Sequence, residues 1–208
     1  LNMIRLGQIG LNYGLKVQIP AFSSDPRFHL VGVCSANIEN AKRIKSLLKL
    51  KMGTDDPEEL FSSVDAVSIA LPPREQAIIL PKAIERGLHV FFEKPLGFIP
   101  HTNINMKKSQ ALMVDFEFLE IDVWKEAKEL ILKNEIGNIL HAEIIWNVET
   151  YAVSKNLNSW KNNCDLSGGV LNNFGPHSFH YIEQFMGKIT QIYVKTLFSN
   201  SFDETGAY

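Results

Sequence analysis

Short β-rich apolar runs alternate with helical spacings along the first half of the chain, the order that a parallel sheet with crossover helices requires. Met3 to Ile9 predicts a first strand, followed by a glycine-containing turn and a short helix over Leu15 to Phe22 that stops at Ser23-Ser24-Asp25-Pro26. His29 to Cys34 (HLVGVC) predicts a second, buried strand, and Asn37 to Leu50 a helix. Pro57-Glu58-Glu59-Leu60 starts another short helix, because proline suits a first helical turn and carboxylates complement its dipole. Ala66 to Ala70 is the predicted fourth strand. After Pro72-Pro73, Gln76 to Arg86 predicts a helix closed by Gly87, Leu88 to Phe92 a strand, and Ala111 to Phe118 the last strand of a first domain.

The texture then changes. Asp122 to Lys133 has the spacing of an amphipathic helix, with Gly137 past its end. Ile139 to Val148 alternates like a strand of an antiparallel sheet, and a polar segment rich in Asn, Ser and Lys runs from Ser154 to Asn163. Gly168-Gly169 precedes a helical run to Met186, and Ile189 to Phe198 predicts one more strand. The expected fold class is therefore α/β: a Rossmann-type dinucleotide-binding domain over residues 1–118, then an α+β domain with a mixed or antiparallel open sheet over 119–208. The stretch between Lys94 and Met113 is short for a helix with its loops. The end of the chain, Asp203 to Tyr208, reads as the lead-in to a further strand, so the second domain is expected to be incomplete. Leu1 and Asn2 are read as residues ahead of a native start at Met3.

Composition narrows the partners. A formal net charge of -2, with both signs interspersed, offers no basic face for phosphate backbones and argues against nucleic acid. No apolar run approaches the roughly 20 residues of a membrane span, and no signal-peptide pattern opens the chain, so a cytoplasmic, soluble protein is expected. Cys34 and Cys164 lack a paired metal-ligand spacing and are read as reduced thiols, with neither disulfide nor metal.

The candidate chemistry lies at strand ends. Gly7-Gln8-Ile9-Gly10-Leu11-Asn12-Tyr13-Gly14 follows strand one, where a dinucleotide fold places its phosphate-binding turn. Asn12 stands where the second glycine of G-x-G-x-x-G belongs, and Gly14 comes one residue early, so an ordinary strand-to-helix turn is the competing reading. Strand two ends in Cys34-Ser35-Ala36, with no carboxylate to receive an adenosine ribose. That leans the cofactor choice, NAD or NADP, toward NADP. Lys94, in Glu93-Lys94-Pro95, sits at the carboxyl end of a buried strand, where ligands gather in open α/β sheets; a surface Glu-Lys pair is the bland alternative.

Together with Ala70-Leu71-Pro72-Pro73 after the fourth strand, and Gly168-Gly169 followed by Gly175-Pro176-His177, these motifs resemble the glucose-fructose oxidoreductase / inositol dehydrogenase / MocA (Gfo/Idh/MocA) family over nearly the whole chain. The resemblance implies an NAD(P)-dependent oxidoreductase acting on a sugar, nucleotide-sugar or cyclitol hydroxyl, and a homo-oligomer built through the second-domain sheet. It implies cofactor contacts from Gly10, Leu11, Asn12, Tyr13, Gly14, Ser35, Leu71, Pro72, Pro73, Gln76, Glu93 and Lys94. By match, Lys94 touches substrate and nicotinamide ribose, and the Lys-Pro peptide is often cis in relatives. His177 matches the acid/base histidine of a D-x-x-x-H-x-x-D pattern. The flanking acids are here Asn173 and His180: Asn173 can orient His177 but brings no charge, and His180 is a candidate substrate contact. Trp146, Tyr151 and Trp160 fall where relatives place substrate groups, with packing as the competing account. Gln76 stands where relatives often carry histidine. A dinucleotide-binding sensor that has lost turnover is the alternative function.

Overall fold

The computed structural model describes residues 3–96, 106–155, 157, 159–198 and 204–207. The expectations about the segment after Lys94, at 97–105, and about residues 1–2, 199–203 and 208 lie outside the described residues. The chain divides into two compact units, Leu1–Asp115 and Phe116–Tyr208.

The first unit is a six-stranded, wholly parallel sheet in the order β3-β2-β1-β4-β5-β6. Its strands are β1 (Ile4–Ile9), β2 (Phe28–Cys34), β3 (Met52–Thr54), β4 (Ala66–Ile69), β5 (His89–Glu93) and β6 (Leu112–Asp115). A helical run of Gly14–Gln18 and α1 (Ile19–Ser23) follows β1, with α2 (Ile38–Leu48), α3 (Pro57–Phe61) and α4 (Pro73–Glu85) in the later crossovers. The sequence pattern passed over β3, whose three residues are too few for a period-2 signal. Two boundaries of this unit move by three residues. Helix α4 begins at Pro73 rather than Gln76, since proline is suited to a first helical turn. Strand β6 stops at Asp115 instead of running to Phe118, because Glu117–Glu120 turns into a 3-10 helix.

The strand and helix ends have local causes. The Asn37 side chain accepts from the Asn40 amide at 3.1 Å to cap α2, and the Asp56 carboxylate accepts from the Glu58 amide at 2.9 Å to cap α3 ahead of Pro57. Gly87, at φ +82°, ends the α4 crossover. Both faces of the sheet are covered. Leu60, Phe61, Leu80, Ala83 and Ile84 of α3 and α4 pack on Ile9, Val67, Ile69 and Phe92, while Ile19 and Ile44 pack on Val33 from the other side. Leu60 fits a socket made by two strand glycines: a Cβ on Gly7 would lie 2.8 Å from its side chain, and one on Gly32 would lie 3.1 Å from it. The result is a close-packed interior, in which a missing methyl group is felt.

The second unit contains α5 (Asp122–Leu132), the short α6 (Tyr151–Ser154), 3-10 turns at Trp160–Asn162 and Cys164–Leu166, and α7 (Val170–Met186). A two-stranded antiparallel pair, β7 (Thr196–Phe198) with β8 (Glu204–Ala207), completes it. The strand expected over Ile139 to Val148 does not form, and of Ile189 to Phe198 only the last three residues do. A strand exists only where a neighbour completes its hydrogen bonds, and among the described residues nothing pairs with 139–148. Among the described residues, the antiparallel sheet expected here is seen as the β7–β8 pair. No helix among the described residues is long and apolar enough to cross a membrane.

Candidate functional site

The strand order reverses between β1 and β4, which makes their carboxyl ends the switch point where ligands bind in sheets of this kind. The turn after β1 is built for close approach. Gly10 has φ +86°, and a Cβ there would lie 2.2 Å from the Ala70 carbonyl oxygen, so any side chain is excluded on both counts. A Cβ on Gly14 would lie 2.3 Å from Nε2 of Gln8, so the helix start rests directly on that side chain. Its first turn is wide: the Ile19 amide donates to the carbonyl of Gly14, five residues back. Leu11 is buried, while Asn12 and Tyr13 are exposed on the turn. A cradle too tight for a Cβ at the start of a helical run fits a dinucleotide pyrophosphate, held by backbone amides and the positive helix end.

A buried chain of amides ties this turn to the lysine motif. Gln8 Nε2 donates to the carbonyls of Ile9 and Gly10 and, at 3.1 Å, to Oε1 of Gln18. Ser68 on β4 donates to the same oxygen at 2.6 Å, and Gln18 Nε2 donates to Oε1 of Glu93 at 2.7 Å. Gln76 Nε2 donates to the carbonyls of Glu93 at 2.6 Å and Pro95 at 3.0 Å, clasping the two sides of the Lys94-Pro95 peptide, which is cis. Gln8, Ser68 and Gln76 are wholly buried. Such a network in a low-dielectric interior is rigid, because breaking one bond strands a polar group away from water. Lys94 is half-buried on this corner, and Leu71, Pro72 and Pro73 form the short link from β4 to α4.

At the end of β2, Ser35 Oγ accepts from the Asn37 amide, and Cys34 is a buried free thiol. Burial, reinforced by Asp55, Asp56 and Glu59, pushes the Cys34 thiol up to about 12, which keeps it protonated and unreactive. Those carboxylates come from the turn between β3 and α3 and from the first turn of α3, not from β2. Nothing on β2 itself signals them in the sequence.

In the second unit α7 carries His177, Asn173 and His180. A Cβ on Gly168 would lie 2.0 Å from the Trp160 carbonyl oxygen, so this glycine lets the 160–163 turn dock against the start of α7. Asn173 then spends its Nδ2 on the carbonyls of Lys161, at 2.8 Å, and Gly169, at 2.7 Å. His177 is 3% exposed, enclosed by the rings of Phe116, Phe118, Trp146 and Tyr181. His180 stacks on Phe116 with centroids 4.2 Å apart, so both histidines meet the same ring. Its pKa is lowered, first by burial. Trp146 donates to Ser178 at 3.0 Å and packs on Phe174. Trp160 is half-buried beneath the Lys161 ammonium, and Tyr151 is 73% exposed. Among the described residues no group of three potential metal ligands comes together.

Two family models match the chain. Residues 4–115 match an oxidoreductase family with an NAD-binding Rossmann fold, and residues 124–206 match the Gfo/Idh/MocA C-terminal domain. The chain belongs to the Gfo/Idh/MocA oxidoreductase family. Among its relatives, an uncharacterized oxidoreductase of Synechocystis is 25% identical over 186 residues, covering 86% of this chain and 50% of that protein. Glucose-6-phosphate 3-dehydrogenase of Bacillus subtilis is 26% identical over 187 residues, covering 84% and 51%. The chain thus spans about half the length of these curated relatives. The crystal structure of KijD10, a 3-ketoreductase from Actinomadura kijaniata in complex with NADP and TDP-benzene, shares the fold with a TM-score of 0.72 at 22% identity, covering 94% of this chain and 60% of that one.

Within this Gfo/Idh/MocA framework the structure gathers Gly10, Gly14, Gln76, Glu93 and Lys94 of the sequence-derived set into one connected region of the first unit. It gathers Asn173, His177 and His180 onto α7 in the second. Missed by the sequence reading were Gln8, Gln18, Ser68 and Asp115. Each interrupts or ends an apolar run, and a polar residue in such a run is the signal that could find it.

Proposed function

We propose that the chain is the cofactor-binding and proton-handling part of an NAD(P)-dependent oxidoreductase that acts on a sugar, nucleotide-sugar or cyclitol hydroxyl. The observation that carries this reading is the Lys94 corner: an ammonium at the carboxyl end of β5, tied through Glu93, Gln18 and Gln8 to a glycine cradle at the switch point. A bound nicotinamide supplies the acceptor or donor of a hydride. In the oxidative direction His177 takes the proton of the substrate hydroxyl as the carbinol hydride leaves, and Lys94 stabilises the negative charge that grows on the oxygen. Asn173 positions the α7 turn that carries His177 through its bonds to Lys161 and Gly169. His180, Trp160 and the exposed Tyr151 are the proposed substrate contacts.

Between the two dinucleotides the β2 end, lacking an acid, leans toward NADP. The carboxylates of Asp55, Asp56 and Glu59 around Cys34 bear on the same strand end and oppose a second phosphate there, which moves the preference to NAD. Fluorescence titration with NADH and NADPH tests this, with tighter NADH binding expected; tighter NADPH binding overturns the preference. For the reaction, Lys94→Ala should lower turnover on an accepted polyol by roughly 10²- to 10³-fold, the scale of one lost oxyanion donor. Full turnover in that variant sinks the mechanism. The enclosure of His177 among aromatic rings favours a second reading, a cofactor-binding sensor without turnover. Tight NADH binding with no reduction or oxidation across a broad sugar and polyol panel would select it.

A further inference from the structure

Glu93 and Asp115 are direct partners across the parallel ladder of β5 and β6, one residue from Lys94. Their side chains hydrogen-bond to each other. Two ionised carboxylates have only acceptor oxygens, so a bond between them requires a proton on one. We propose that Glu93 and Asp115 hold one proton between them and that Asp115 is thereby a positioning residue for Lys94.

The surroundings bear on both members of the pair. Oε1 of Glu93 accepts from the Gln18 amide at 2.7 Å, and such a donor favours a charged carboxylate. Burial acts in the opposite sense on Asp115 and raises its pKa, against the lowering by its bond to Glu93 and by the Lys94 charge. Around the pair stand Gln18 on the first helical run, with Ser68 and Gln8 behind it, Gln76 on the backbone of Glu93, and the Lys94 charge. With one proton the pair carries one negative charge beside one ammonium. Loss of the proton leaves two negative charges, which draw the Lys94 ammonium back toward the pair and away from a ligand. Dinucleotide affinity should then fall as pH rises through this ionisation, a consequence that rests on the cofactor reading above. The shared proton itself does not.

The proton is read by carboxyl carbon NMR of the chain with labelled aspartate, titrated in pH. One aspartate is expected to ionise after the others have finished. Its signal should vanish in Asp115→Asn, and its midpoint should shift in Glu93→Gln, a variant that keeps the test available should Asp115→Asn fold poorly; an unchanged midpoint in Glu93→Gln overturns the pair. If every aspartate of the wild type ionises together in the ordinary range, the pair is overturned. The positioning role is read by NADH titration on either side of that ionisation. Several-fold weaker binding is expected at the higher pH in the wild type, and a flat profile in Asp115→Asn. The same profile in both proteins overturns the role of Asp115. Absence of NADH binding at every pH removes the cofactor reading, while the NMR result stands by itself.

Discussion

The two units treat burial in opposite ways. In the first, polar side chains that burial would penalise lie inside the protein and are hydrogen-bonded there: Gln8 and Ser68 on the strands and Gln76 on α4 are wholly buried. In the second, apolar side chains that burial would favour stand in water, with Leu140 at 92% exposure and Tyr193 at 86%. The difference is one of partners. Every strand of the parallel sheet finds its neighbours within the first unit, so its interior is closed and can hold a polar network. The alternating stretch 139–148 has an apolar face but no ladder beside it among the described residues.

Truncation of matched leucines gives the widest separation. Leu60→Ala should destabilise the first unit by about 2–5 kcal/mol, the range for a fully buried leucine. Urea denaturation measures it, and a loss well under 1 kcal/mol would mean that the Gly7–Gly32 socket is not the tight packing described. A smaller and pH-dependent effect belongs to Asp115. Its folded pKa is raised, so the stability it contributes is complete below the unfolded value near 3.8 and is lost as pH rises through the folded value. Asp25, lowered to about 2 by its bonds to Arg27, and Asp65, lowered by its hydrogen bond to Arg5, work the other way, and their contributions disappear only as the pH falls below the same unfolded value. Between that value and neutrality, thermal melting of Asp115→Asn should therefore decline less with rising pH than that of the wild type. Parallel curves would place Asp115 outside the buried network. The smallest effect is expected at Leu140→Ser, within about 0.5 kcal/mol, as for exposed positions away from special features. A loss like that of Leu60 would show that this surface is covered in the folded protein.

Much of the first unit was legible in the chain because parallel strands buried on both faces read as continuous apolar runs, and their crossover helices carry start and stop residues. Gly10, Gly14 and Glu93-Lys94-Pro95 were found this way, since a turn or a charged strand end is a local event. The second unit was legible only in its helices. Ile139 to Val148 has a strand's period, but the period reports which side chains share a face and not whether a neighbour exists to bond the backbone.

By itself, then, the sequence determined the alternation of strands and helices in the first unit apart from β3, the glycine turn, the lysine at a strand end, and the helix that bears Asn173, His177 and His180. Only the tertiary structure decided which of these residues touch. That Gln8 reaches Glu93 through Gln18, and that Glu93 faces Asp115, depends on strand register and on helix crossings between positions far apart in the chain. The acids that bear on Cys34 likewise come from the neighbouring β3–α3 turn and the start of α3. Local patterns carry face and direction, whereas partners are chosen by how the whole sheet closes its hydrogen bonds and fills its interior.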